Sequence, residues 1–73
     1  MIKRDVKKRL DAEFNDLTIN LENNYKDLAI AALKKLKVSV EELHDKGSLK
    51  DKDYLKVKAK VDDYSKRMEG YHH

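Results

Sequence analysis

The chain reads as an all-α domain, a small three-helix bundle, on three observations. Helix breakers are scarce: among 73 residues there is no Pro and only two Gly, at 47 and 70. Apolar residues recur at three- and four-residue steps along almost the whole length, the period of one helix face. Charged residues make up 42% of the chain with both signs interspersed, as on solvated helix surfaces. The expected helices span about 3–22, 25–46 and 49–69 of a single domain over 1–70, with 71–73 a disordered tail. The alternative is one long helix and a short C-terminal helix, assembled as a dimer.

In the first helix Ile2, Val6, Leu10, Phe14, Leu17 and Leu21 step by about one turn each and define an amphipathic helix. Asp5 falls in its first turn, where a carboxylate suits the positive end of the dipole. Ala12 and Ile19 lie off the stripe, almost opposite it.

Asn20, Asn23 and Asn24 cluster where a turn is wanted. Asn24 with Asp27 at the third position resembles a capping box for a second helix. The stripe nevertheless runs from Leu21 through Tyr25 to Leu28 without losing phase, so a continuous helix of about 40 residues fits as well. The turn is expected, because globular helices average about a dozen residues.

The segment Tyr25–Lys46 is the most apolar, and the rest is organised around it. Leu28, Ala32, Leu36 and Leu43, flanked by Tyr25, Ala29, Leu33 and Val40, form a stripe wide enough for two neighbours, which puts this helix between the others. Ser39 and Glu42 form an S-x-x-E pattern that would restart a helix near Val40. No Gly is present to close the preceding helix, and Lys in the left-handed cap would cost about 1 kcal/mol, so a continuous helix is expected. Ser39 falls near the stripe, where its hydroxyl is expected to bond back to the carbonyl one turn earlier.

Gly47 after His44, Asp45 and Lys46 marks a C-terminal cap, and Ser48 with Asp51 a capping box for the last helix. There Tyr54, Val57, Val61, Tyr64 and Met68 make a heptad-like seam up to about Glu69, with Gly70 ending it. Tyr71, His72 and His73 read as a frayed tail, the His pair as a purification remnant.

The absence of Cys removes disulfides, thiolate catalysis and cysteine metal sites. The longest apolar run, Leu28–Leu33, is far short of the roughly 20 residues of a membrane span. A soluble, cytoplasmic protein is expected. No nucleophile motif surrounds Ser39, Ser48 or Ser65, and Asp51-Lys52-Asp53 departs from a calcium loop at Lys56 and Asp62. Two isolated glycines make no phosphate loop. No enzymatic activity, cofactor, metal or small-molecule ligand is expected.

Ile19, Ile30 and Val38, left over from the stripes, are the candidate residues for contact with a protein partner or in a homodimer. The expected function is a non-enzymatic interaction module, a regulator or adaptor. The alternative is nucleic-acid binding through Lys52, Lys56, Lys60 and Arg67, which share one side of the last helix with Asp63 among them. The segment Leu33-Lys-Lys-Leu-Lys-Val-Ser-Val-Glu-Glu-Leu43 resembles short stretches of helix-turn-helix repressors, which implies a turn near Lys37 and a second helix from Val40. It departs from them at Lys37, which replaces the turn glycine, and at Glu41-Glu42, which repel phosphate. The last helix with Asp62 resembles the small sporulation-type aspartyl-phosphate phosphatases, but Lys58, Ala59, Lys60 and Val61 occupy the rest of their Ser-Gln-Glu-Leu-Asp motif, so no activity is carried over.

Overall fold

A computed structural model describes residues 2–69 as α1 (Arg4–Glu22), α2 (Lys26–Asp45) and α3 (Asp51–Arg67), with no strand among them. Each helix lies within two residues of its expected span. Gly70 and the tail lie outside the described residues.

The chain does turn after α1, but Asn24 does not cap α2. It takes the left-handed conformation at φ 59°, and its N–H donates to the Leu21 carbonyl (3.1 Å) while that of Tyr25 donates to Asn20 (2.9 Å). This is a Schellman closure of α1, with Asn in the position usually given to Gly. Tyr25 occupies the N-cap of α2 without a side-chain hydrogen bond. Asn tolerates positive φ, and this use of it outweighs the capping box.

The second turn repeats the device with Gly47 at φ +77°. The Gly47 N–H donates to His44 (3.0 Å) and that of Ser48 to Leu43 (2.9 Å). The expected Ser48–Asp51 capping box is absent: Lys50 is the N-cap of α3, with no side-chain cap, and the Asp51 carboxylate binds His44 instead. The longer connection also buries Leu49, whose N–H donates to the Leu43 carbonyl (3.1 Å).

Between the turns α2 is unbroken, so the turn implied by the repressor resemblance is not formed. Ser39 is buried, but its hydroxyl reaches across to α1 rather than back to its own helix. A charged acceptor there, Glu13, offers the stronger hydrogen bond.

The core is Val6, Leu10, Phe14 and Leu17 of α1, Ala29, Ala32, Leu33, Leu36, Val40 and Leu43 of α2, Leu49, and Val61 and Met68 of the last segment. Tyr54, Val57 and Tyr64 pack partly buried against it. Two residues of the expected α2 stripe stay outside: Tyr25, in the connection, and Leu28, 57% exposed in the first turn. Ala29 in the same turn is fully buried, so the edge of the core runs between these two neighbouring positions.

α2 packs on both neighbours, while α1 and α3 meet only marginally. They run parallel: Phe14 faces Lys60 and Tyr64, and Thr18 shares a 3.1 Å hydrogen bond with Tyr64. The N-termini of α1 and α3 therefore lie with the C-terminus of α2 at one pole of a body 36 × 18 × 15 Å.

Candidate functional site

Of the three residues expected to meet a partner, two are on the surface. Ile19 (46% exposed) stands on the outer side of α1, and Val38 (57%) on α2 almost opposite its core face. Ile30 is partly buried and packs against the core. Its spacing to Lys37 and Glu41 places it on the α3 side of α2, which a wheel centred on the main stripe alone does not reveal. Leu28, expected in the core stripe, and Leu55 (64% exposed), which no stripe included, add apolar surface. Leu28, Ala31 and Val38 share one side of α2 by their spacing, and all three are exposed. α2 thus carries a second, narrower apolar stripe outside the bundle.

The groove between α2 and α3 has a volume of about 320 Å³, with Val40 and Val61 among its lining residues and Lys37, Glu41, Lys58 and Asp62 around them. One end is closed by a connected polar group. The Tyr54 hydroxyl donates to the Glu41 carboxylate (2.8 and 3.0 Å) and accepts from Lys58 Nζ (3.3 Å). The His44 ring stacks on Tyr54 at 3.9 Å, and its Nε2 lies 2.7 Å from Asp51 Oδ1. The hydrogen bond to Tyr54, then the charges of Tyr54 and Glu41, hold the Lys58 ammonium above the ordinary lysine value. These contacts tie the start of α3 to the end of α2. His44 also lies in the last turn of α2.

A second polar cluster joins α1 to α2. The Ser39 hydroxyl donates to Glu13 Oε1 (2.8 Å) and accepts from Arg9 (3.2 Å). Glu13 is 10% exposed at its side chain. Its Oε2 is buried without a hydrogen bond and faces Arg9 Nε at 3.6 Å, ion-pair distance only. Arg9 also approaches Glu42 at 3.9 Å.

The four basic residues of the last helix expected to share a surface are all exposed, and two of them also make contacts within the bundle. Lys60 lies over the Phe14 ring at 4.4 Å, and Arg67 pairs with Asp63 at 3.4 Å while covering Tyr64. Lys52 is exposed, and Lys56 borders a shallow hollow with Ile2, Arg4, Lys7 and Asp53, where Lys7 also pairs with Asp11 at 2.9 Å. Folding does segregate charge, although the sequence distributes it evenly. The half of the bundle holding the N-termini of α1 and α3 (residues 2–12 and 36–59) has eleven Lys and Arg against seven acids, +4. The other half has six against seven, −1, which together give the formal +3.

Among the described residues no group of three or more His, Asp or Glu is placed to hold a metal ion. No described helix is long and apolar enough to cross a membrane. Comparison with protein-family models, with curated proteins and with solved structures gives no match.

Proposed function

We propose that the protein is a small interaction module, a regulator or adaptor that works by binding a protein through the outer faces of α1 and α2 and carries out no chemistry of its own. The observation that supports this reading is the second apolar stripe. Leu28, Ala31 and Val38 are exposed on α2 although the domain already has a closed core around Leu17, Leu36 and Val40. An apolar side chain left in water forgoes about 25 cal/mol per Å² of burial, and covering several together is the usual return on leaving them there. A photo-crosslinking amino acid at position 38, and separately at 19, tests it in cells. The expected result is a discrete adduct whose yield falls when Leu28 is changed to Lys; a control at exposed Lys66 on α3 gives none. Adducts equally diffuse at all three positions refute the reading.

A second reading, nucleic-acid binding, is favoured by the concentration of net positive charge at the pole of Arg4, Lys7, Lys52 and Lys56. This surface shares Lys52 and Lys56 with the face expected on the last helix and leaves out Lys60 and Arg67, which also contact Phe14 and Asp63. Phosphate contacts release counterions, so binding of a labelled duplex should weaken steeply with salt and lose about one contact's slope on Arg4→Ala. No binding at low salt excludes it.

A further inference from the structure

The outer face of α2 is electrostatically self-complementary about Val38. Counting backwards, Lys35 and Lys34 lie three and four residues before it; counting forwards, Glu41 and Glu42 lie three and four after it. Residues three and four apart share a helix face, so Val38 is bracketed by a positive pair on one side and a negative pair on the other. All five are exposed. Lys34 and Lys35 make no hydrogen bond or ion pair with another described residue, which leaves both cations available.

We propose that this face binds a second copy of the chain, with the two α2 helices antiparallel and a two-fold axis passing by Val38. In that arrangement residue numbers facing each other sum to about 76. Lys34 and Lys35 of each copy then lie over Glu41 and Glu42 of the other, while Val38 meets Val38. The flanks also agree. Lys34 and Glu41 are seven residues apart on one side of Val38, Lys35 and Glu42 seven apart on the other, and an antiparallel pair brings like flanks together. A parallel pair would set Lys against Lys and Glu against Glu, so the pattern selects orientation. The interface is isologous and closes at two copies. Ala31, one heptad before Val38 on the same face, keeps the seam narrow enough for close approach.

The contact is small, because Val38 and Ala31 supply almost all of its apolar centre. It belongs with interfaces burying less than roughly 1,200 Å², and its dissociation constant should lie between about 10 µM and 1 mM at low salt. The inference rests on the reading of α2's outer face as a binding surface, and it names a second copy as the occupant.

The test uses the purified chain alone, by sedimentation velocity from about 10 µM to 2 mM. The wild type should pass from monomer to dimer and shift at least about tenfold toward monomer in 1 M salt. The variant Lys34→Glu/Lys35→Glu makes the face wholly acidic and Glu41→Lys/Glu42→Lys wholly basic. Each alone should be monomeric, and an equimolar mixture should dimerise. Circular dichroism checks that helicity is retained. Should the basic variant lose helicity through its Tyr54 and Arg9 contacts, Val38→Lys takes its place and should be monomeric at 2 mM. A wild type monomeric at 2 mM, or an acidic variant that dimerises like the wild type, overturns the proposal. Neither result touches the binding of a different protein, which the crosslinking adduct reports separately by its mass.

Discussion

Ser39→Ala is expected to destabilise the bundle far more than its one lost oxygen suggests, and a second substitution is expected to restore most of that loss. Among the described residues the hydroxyl is the only hydrogen-bond donor to Glu13 Oε1, at 2.8 Å, and Oε2 has none. Removing it leaves a carboxylate 10% exposed, with no hydrogen bond to either oxygen and Arg9 at 3.6 Å as its remaining cation. An orphaned buried acceptor costs about 1–3 kcal/mol, and a charged one lies at the upper end. Arg9 offsets part of this, since its exposed guanidinium is free to close on Glu13, so about 2 kcal/mol is expected for the single change. For a domain of this size that is roughly 8–16 °C in Tm. In Glu13→Leu/Ser39→Ala both polar partners are gone and the site is apolar, which is often neutral or stabilising. The double variant should therefore lie within about 1 kcal/mol of the wild type, with a coupling energy near 2 kcal/mol. Urea unfolding of the four proteins of this cycle measures it. A loss under about 0.5 kcal/mol for Ser39→Ala, or additive losses in the double variant, would show that the cluster is solvated and that the reasoning is wrong.

The two Schellman turns should respond in opposite directions. Gly47→Ala meets no atom within 4 Å, so its cost is that of forcing an L-residue to φ +77°, about 1 kcal/mol; Asn24→Gly relaxes a φ of 59° and should be neutral or slightly stabilising, both read by urea unfolding. His44→Ala removes the ring stacked on Tyr54 and the partner of Asp51, and should loosen the start of α3 by about 1 kcal/mol, seen as faster amide exchange there before the core. Lys58 has a folded-state value raised by Tyr54, so its contribution is full below the unfolded value and lost as pH rises through the folded one; the stability difference between wild type and Lys58→Met should persist at pH 7–9 and begin to fade only above the ordinary lysine value of about 10.5.

The fold was legible because its signals were local and repeated. The stripe from Ile2 to Leu21 marks the side of α1 that lies in or against the core, and the seam from Tyr54 to Met68 marks that of α3. Gly47 located the second turn because only a residue tolerant of positive φ fits there. Asn24 was found for the wrong reason: the sequence pattern allowed an N-cap or a left-handed C-cap, and which one forms depends on how α1 closes its last carbonyls. The capping box at Ser48 failed similarly, since the carboxylate needed for it found His44 across the turn.

The surfaces were much less legible, because each depends on which residues of different helices come together. The Glu13–Ser39 hydrogen bond spans 26 positions and has no sequence signature. Ile30 looked surplus on its own helix, yet it fills the side of α2 that only the placement of α3 defines. The charge pole escaped notice because the chain alternates sign evenly and only the parallel arrangement of α1 and α3 gathers the basic ends.

The division of labour within α2 explains why these features sit where they do. A helix packed on two neighbours spends most of its circumference on them, and here α1 takes the side of Ser39 and Glu42 while α3 takes the side of Ile30, Glu41 and His44. Only the arc around Val38 remains, bordered by the exposed Glu41 on the α3 side and Glu42 on the α1 side, and that arc holds Leu28, Ala31 and Val38 together with Lys34 and Lys35. If solubility alone had shaped it, polar residues throughout would serve, since no packing constraint reaches it. Apolar residues at helical spacing, bracketed by charges of opposite sign, instead match the pattern of a helix seam. The same arc is where a substitution disturbs the core least, so binding at this face can be separated from folding by experiment: Val38→Lys should leave urea unfolding of the monomer within about 0.5 kcal/mol of the wild type. A loss of 2 kcal/mol or more would mean that Val38 supports the fold after all, and that the outer stripe is not an independent surface.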